Sequence, residues 1–528
     1  MMGATATSPM TLGRILGQLA RQRGDAAALV FEGRTTTYDD LANHARRAGH
    51  ALRRTGLMPE ERIAYLGKNS DAFFELLFGA SMARLVLTPV NWRLAAAEVL
   101  HILQDSLAKV LFVGREFVEM AHGLLDALPE IREVVAIDEP AGDWPDFRSW
   151  RDAGPDTRTG DNADWNDVVL QLYTSGTTGR PKGAMLRQSG LLGLRDPATT
   201  RPGDWNHWTT DDVSLLSLPL FHMAGCGTGL SCLTGGAKGI VVREFDPNQV
   251  LDFIARDRIT KLFMVPSALQ FVVRNPQARD IDYSCLKTIA YGGSPIPLAL
   301  LRECMDIFGC GFVQMYGMTE TSGTIVALRP EDHAAGDARR LRAAGRPLPG
   351  VEIAIEGADG ARLPPGQVGE IVTRSIGNMA GYWNMPEATS ETLYGNGWLR
   401  TGDAGYLDED GYLFIHDRVK DMIISGGENV YPAEVENAIF GHPAVAEVAV
   451  IGVPHETWGE AVKAVVVCKP GQDASGEELI AWARARIAGF KLPKSVDFVP
   501  ELPRNASGKV LRRQLREPYW VDKVRRVN

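Results

Sequence analysis

Residues 173–184 read YTSGTTGRPKGA, directly after the apolar run VVLQL at 168–172. An apolar strand thus feeds into five small residues, Thr174 to Thr178. Gly176, Gly179 and Gly183 permit positive φ and let a ligand approach the backbone closely. Successive backbone N–H groups in such a turn form an anion-binding concavity. The hydroxyls of Thr174, Ser175, Thr177 and Thr178 add donors, and Lys182 adds a positive charge. Pro181 stiffens the exit. A polyphosphate suits this set. The Walker pattern is absent because Lys182 is followed by Gly183, and G-x-G-x-x-G is absent too. Composition alone also fits an ordinary surface turn rich in Ser, Thr and Gly.

Outward from this loop, short apolar runs alternate with helix-like segments. The runs are 213–218, 240–242, 262–265, 288–291 and 312–315. Helices are predicted at 223–233, 249–256 and 298–308. In the last, Leu298, Leu301, Met305 and Phe308 share one face. This alternation predicts an α/β fold of parallel sheets covered by helices, with ligands gathered beyond the carboxyl ends of the strands. The texture changes after about Asp417, where GYLFIHDRVKDMII runs through a charged cluster into SGGEN. A compact α+β unit of about 110 residues is predicted from there. The boundary is placed near 418–421, dividing the chain into 1–419 and 420–528.

A chain of 528 residues with 45% hydrophobic and 23% charged residues predicts a soluble, multidomain protein. The net charge of -9 disfavours general nucleic-acid binding, so anionic ligands must meet local donors. The six cysteines form no C-x-x-C pair, which reads as scattered thiols in a reducing compartment. No secretory signal and no membrane span is expected, and the expected location is cytoplasmic.

The loop closely resembles the signature of the adenylate-forming superfamily. Further signatures occur in that family's order: YGGSP at 291–295, YGMTE at 316–320, GWLRTGD at 397–403, DRVKDMIISGGENVYPAEVE at 417–436 and PRNASGKVLRR at 503–513. The resemblance spans nearly the whole chain. It implies a large N-terminal adenylation domain of parallel-rich sheets flanked by helices, and a small mobile α+β C-terminal domain. It also implies ATP and Mg²⁺, with coenzyme A as co-substrate.

Residue by residue, the resemblance makes Thr174, Ser175, Gly176, Thr177, Thr178, Gly179 and Lys182 the phosphate cradle. Tyr316 is the adenine-stacking residue, with Gly317 beside it and Gly292, Gly293 and Ser294 across the slot. Thr319 touches phosphate, and Glu320 with Thr174 holds magnesium. Asp403 takes the ribose hydroxyls, and Arg418 is its basic companion. Lys509 is the catalytic lysine of adenylation, with Thr174 and Glu320. Lys420 is the hinge, and Gly426 and Gly427 leave room for a pantetheine arm.

The segment LPLFHMAGCGTG at 218–229 matches the family's acyl-pocket region. It nominates His222, Met223 and Gly225, with Met264 and Met318, as pocket residues. Phe221, Val265 and Ser322 are further wall candidates. The apolar set favours a hydrophobic acid, first a medium- or long-chain fatty acid. Gly225, Gly227 and Gly229 fit two readings: room for a bulky chain, or helix packing. Aryl- or alicyclic-acid CoA ligation, loading of a separate carrier protein and a non-catalytic nucleotide-binding relative stand as alternatives. A homodimer is left open.

Overall fold

The computed structural model describes residues 10–154, 163–174, 181–195, 200–201, 203–418, 421–425, 428–504 and 510–520. Two large sheets dominate the N-terminal part. A seven-stranded sheet runs in the order Gly381–Tyr382, Lys182–Arg187, Val168–Thr174, Val86–Pro89, Arg62–Leu66, Val110–Val113 and Glu133–Ala136. Its last five strands are parallel, and Lys182–Arg187 is antiparallel to both neighbours. A nine-stranded sheet has a parallel centre made of Ala27–Phe31, Lys238–Val241, Val213–Leu216, Lys261–Met264, Thr288–Gly292 and Gly311–Met318. Antiparallel strands Arg34–Thr37 and Gly323–Leu328 flank that centre, and Arg346–Pro347 closes the far edge.

Side chains on a strand alternate between faces, and the cores follow that period. Leu216 and Val241 face one core, while their neighbours Leu215 and Ile240 face another. The first core draws on both sheets, taking Leu29 and Phe31 from one and Ile63, Leu87 and Leu170 from the other. Helix Asp71–Ala83, DAFFELLFGASMA, lies in this core and is buried along nearly its whole length. A helix apolar on every side fits only between layers. Its buried Glu75 is compensated by Arg151 Nη1 at 2.6 Å and His44 Nδ1 at 3.0 Å.

Helices Pro247–Asp257, Pro266–Val273 and Leu298–Phe308 cover the other face of the nine-stranded sheet. The parallel strand–helix alternation read from the sequence is present. What it did not reveal is a third, antiparallel sheet of Glu352–Glu356, Gly369–Arg374, Trp398–Leu407, Leu393–Tyr394 and Leu413–Arg418.

That third sheet ends at Arg418, and the next begins at Ile423. The C-terminal sheet is built on the hairpin Val445–His455 and Gly459–Cys468, with Ser495–Phe498 parallel to it. Helices Pro432–Phe440 and Gly476–Arg484 pack on its core. The chain therefore has a large α/β part and a smaller α+β part. The expected boundary at 419/420 falls outside the described residues. Among the described residues, no helix is long and apolar enough to cross a membrane.

Candidate active site

The roots of the glycine-rich loop are rigid. Thr174 ends its strand opposite Lys182, the start of the antiparallel return strand. Gly183 lies against its neighbours: a Cβ there would stand 2.8 Å from Gln171 Nε2. Behind it, Gln171 Nε2 donates to Tyr173 Oη at 3.1 Å, and Tyr173 Oη donates to Asp105 Oδ2 at 2.5 Å. Trp383 Nε1 donates to Asp105 O at 2.8 Å, tying the same point to the sheet edge. Ser175, Gly176, Thr177, Thr178 and Gly179 lie outside the described residues.

Glu320 sits on the single 3₁₀ turn Thr319–Thr321, directly after strand Gly311–Met318. Its Oε1 accepts from Thr174 Oγ1 at 3.3 Å and from Tyr382 Oη at 2.8 Å. The carboxylate is buried and has no Lys, Arg or His partner among the described residues. Lys182 Nζ lies 5.0 Å from the centroid of the Tyr382 ring. An unpaired buried carboxylate beside a hydroxyl, at the mouth of a phosphate loop, fits Mg²⁺. That ion takes hard oxygen ligands and is usually completed by substrate phosphates and water. Among the described residues no cluster of three or more His, Cys, Asp or Glu side chains forms a cage of its own. Sequence reasoning missed Tyr382. The only local signal is the aromatic pair in GYW at 381–383.

Tyr316 lies on the strand that leads to this turn. A register shift between Tyr316 and Gly317 re-aims the strand end against Gly323–Leu328. Gly317 is required there, because a Cβ would overlap the carbonyl of Gly323. Tyr316 Oη donates to Asp403 Oδ2 at 2.7 Å. Asp403 is buried on strand Trp398–Leu407, and its N–H donates to Thr401 Oγ1 at 3.1 Å. Its cross-strand partner is Arg418, whose side chain lies outside the described residues. Gly292 closes the neighbouring strand with no room for a side chain beside Met315 O, and Gly293 has φ of 83°. Ser294 follows in the bend, and Thr319 opens the turn that carries Glu320. The five residues Tyr316 to Glu320 therefore link an aromatic ring over glycines to the carboxylate at the phosphate loop.

In the segment read as the acyl wall, His222 directly precedes helix Met223–Thr234 without a side-chain cap bond. Burial, with Arg93 nearby, pulls its pKa down to about 4, so the ring is neutral at pH 7. Its Nε2 is enclosed without a hydrogen-bond partner among the described residues. Of the two readings of the helix glycines, packing holds at Gly225, where a Cβ would strike Pro219 O, and at Gly229, where it would strike Phe74.

Met264 is fully buried in the core with Leu262, Leu269 and Tyr291. Strand alternation sends its neighbour Phe263 the other way, and Val265, just past the strand end, touches both groups. These two join Leu218, Ala224, Ala290 and Met315 in a small apolar cluster beside Gly292. Met318 is partly exposed at the end of its strand. Lys420, Gly426, Gly427 and Lys509 lie outside the described residues.

Comparison with known proteins agrees with this arrangement. A family model described as AMP-binding enzyme matches residues 17–383, and one described as AMP-binding enzyme C-terminal domain matches residues 434–509. The chain is similar to the fatty acid–[acyl-carrier-protein] ligase ScoC of Streptomyces coeruleorubidus, with 43% identity over 509 residues and 96% of each chain covered. It is 40% identical over 513 residues to a feruloyl-CoA synthase of Amycolatopsis sp, covering 95% of this chain and 97% of that one. Among solved structures it is similar to the anthranilate CoA ligase AuaEII in complex with anthranoyl-AMP. That match has a TM-score of 0.88 at 27% identity, covering 97% of this chain and 98% of the other. Matched in order by both family models and end to end by these relatives, the chain belongs to the AMP-binding enzyme family of adenylate-forming, ATP-dependent acid–thiol ligases.

Proposed function

We propose that the chain activates a hydrophobic carboxylic acid, first among them a medium- or long-chain fatty acid, as an acyl-adenylate. It then passes the acyl group to the thiol of CoA. The observation that carries this reading is the convergence of Thr174, Tyr382 and Glu320 at the phosphate loop, with Glu320 four positions after Tyr316 of the Tyr316–Asp403 pair. The phosphate, metal, adenine and ribose groups all have candidate partners within one short segment and its neighbours.

In the first step a carboxylate oxygen of the acid attacks the α-phosphorus of ATP, and the bond to pyrophosphate breaks. Oxide would be a hopeless leaving group from the free acid, whereas AMP is a good one from the adenylate. Positioning and charge stabilisation do most of the work in such a transfer. Tyr316 and the glycines opposite hold the adenine as a flat slot holds a ring. Asp403 accepts from the ribose hydroxyls. Mg²⁺, when bound at Glu320 and Thr174, neutralises phosphate charge. Lys509 stabilises charge on the phosphoryl oxygens during adenylation.

In the second step the thiol sulfur attacks the acyl carbonyl and AMP leaves, the thiol proton passing to water. A hinge at Lys420 carries Lys509 away and brings the loop of Gly426 and Gly427 to the acyl site. One small domain then serves both half-reactions.

A second reading is loading of a separate carrier protein, favoured by the relative named as a fatty acid–[acyl-carrier-protein] ligase at 43% identity. Pyrophosphate release across a panel of acids tests the common first step, and supplying CoA or a carrier protein in turn separates the acceptors. Thioester formation with CoA supports the first reading. Thioester on the carrier protein alone replaces it with the second.

A further inference from the structure

Arg195 is a buried cation of the large domain with no carboxylate paired to it among the described residues. It follows helix Gln188–Gly193. Its Nη1 donates to Leu191 O at 2.8 Å and its Nη2 to Ser322 O at 2.8 Å. A guanidinium has five N–H groups, so others are left uncommitted. No carboxylate pairs with it among the described residues, and its titratable neighbour is Cys226. That thiol is enclosed, and burial pushes its pKa up to about 12, so it supplies no countercharge. Burial pulls Arg195 down to about 10, which leaves it protonated at neutral pH. An uncompensated buried cation is costly, and such groups cluster where a ligand completes them.

The surroundings identify the compartment. A Cβ on Gly227 would stand 2.8 Å from both Arg195 Nη2 and Met223 Cε. A Cβ on Gly323 would overlap the same nitrogen and lie 3.6 Å from Met223 Cγ. The guanidinium and Met223 therefore share one space. Helix Met223–Thr234 bounds it on one side, and the turn that follows Glu320 bounds it on the other. Arg195 keeps part of its surface accessible. The same two segments carry two further polar atoms that are enclosed without partners among the described residues, His222 Nε2 and Ser322 Oγ. An acyl pocket read from the sequence as apolar is thus polar at this wall.

We propose that Arg195 is a specificity-determining residue that reads a second oxygen acceptor on the acid, remote from the carboxyl that is adenylated. The substrate class is then a hydrophobic acid bearing a hydroxyl, carbonyl or second carboxylate, in preference to a plain saturated chain. The inference rests on the adenylation reading above and narrows its substrate. Holding the turn at Ser322, which has φ of 53°, is the competing role for Arg195. A turn-holding arginine affects every acid alike, whereas a substrate-reading one affects only acids that carry the acceptor.

The test is acid-dependent pyrophosphate release by the full chain with matched pairs. Octanoic acid is compared with 8-hydroxyoctanoic, 7-oxooctanoic and octanedioic acids, and cinnamic with 4-hydroxycinnamic acid. The expected result is a kcat/KM at least tenfold higher for an oxygen-bearing acid than for its plain partner. Arg195→Met abolishes that preference by raising KM for the oxygen-bearing acid at least tenfold more than for its plain partner. The preferred partner identifies the acceptor. A wild-type preference for every plain acid overturns the inference whether or not the variant folds. Equal loss for both members of each pair in Arg195→Met also overturns it. In both cases release with plain acids leaves the adenylation reading standing, while no release with any acid overturns the two together.

Discussion

Tyr316 donates its phenolic hydrogen to Asp403 Oδ2 at 2.7 Å, joining residues 87 positions apart on two different sheets. The aromatic floor expected for adenine and the carboxylate expected for ribose are therefore one hydrogen-bonded unit. The bond fixes ring and carboxylate relative to one another, as positioning catalysis at the proposed nucleotide site requires.

Removing only the hydroxyl tests that coupling. Tyr316→Phe keeps the ring, so kcat stays within about twofold, while KM for ATP rises about three- to tenfold for a lost hydrogen bond to a charged group. Asp403→Ala lowers kcat/KM at least about a hundredfold, because the ribose contact goes too. In a double-mutant cycle with Asp403→Asn, the pair couples by about 1 kcal/mol. Steady-state pyrophosphate release measures all of these. Strict additivity would mean that the contact does not matter to turnover.

Glu320 is held by Thr174 and Tyr382, so its variants separate charge from placement. Glu320→Gln lowers kcat about a hundredfold or more and raises the Mg²⁺ concentration needed for half-maximal rate. Tyr382→Phe keeps the carboxylate and costs about tenfold or less. A magnesium titration of pyrophosphate release distinguishes them. An unaltered magnesium requirement in Glu320→Gln removes this residue from the metal site.

His222 makes a pH prediction with a definite sign. Burial holds its folded pKa at about 4, below the usual 6.5, so the folded state resists protonation. Its contribution to stability is fully present above pH 6.5 and is lost as pH falls from there through about 4. The loss approaches about 3 kcal/mol at most. His222→Gln therefore flattens the fall of Tm between pH 6.5 and 4.5. An equally steep fall in the variant shows that other groups govern that limb.

Gly317→Ala tests the geometry at the bulge. The added methyl meets the Gly323 carbonyl, and relieving the overlap moves either Tyr316 or the Glu320 turn. A loss of about 1–3 kcal/mol in stability is expected, with a raised KM for ATP. Unfolding in urea and ATP binding by calorimetry report the two effects separately.

Much of this site was legible in the sequence because its parts are local. The root of the glycine-rich loop at Thr174 and the YGMTE strand end are contiguous segments, and each lies at the carboxyl end of a strand as predicted. What was not legible depends on which face of a strand is inward or on distant partners. The run LFMV at 262–265 is apolar throughout, so nothing in it shows that Met264 turns to the core while Phe263 turns away. Tyr382 acquires its role from Glu320, 62 positions away. Arg195 does so from Ser322, 127 positions away. The third sheet was missed because its antiparallel strands sit among Gly- and Pro-rich turns, with only the short helix Pro386–Thr392 among them.

The proposed mechanism gives the two half-reactions separate dependence on the small domain. Lys509→Ala is expected to abolish adenylate formation, while thioester formation from a supplied acyl-adenylate survives. Rapid-quench measurement of each half-reaction gives the split, and equal loss in both removes Lys509 from its assigned place.

The account stands on acid adenylation itself, and ATP–pyrophosphate exchange reads that step directly. With the full chain, Mg²⁺ and a panel of hydrophobic acids, label from pyrophosphate should enter ATP only when a suitable acid is present. The exchange should need neither CoA nor a carrier protein, and it should fall at least about a hundredfold in Glu320→Gln. Exchange that proceeds without any acid, or no exchange with any acid while ATP still binds, would contradict the account.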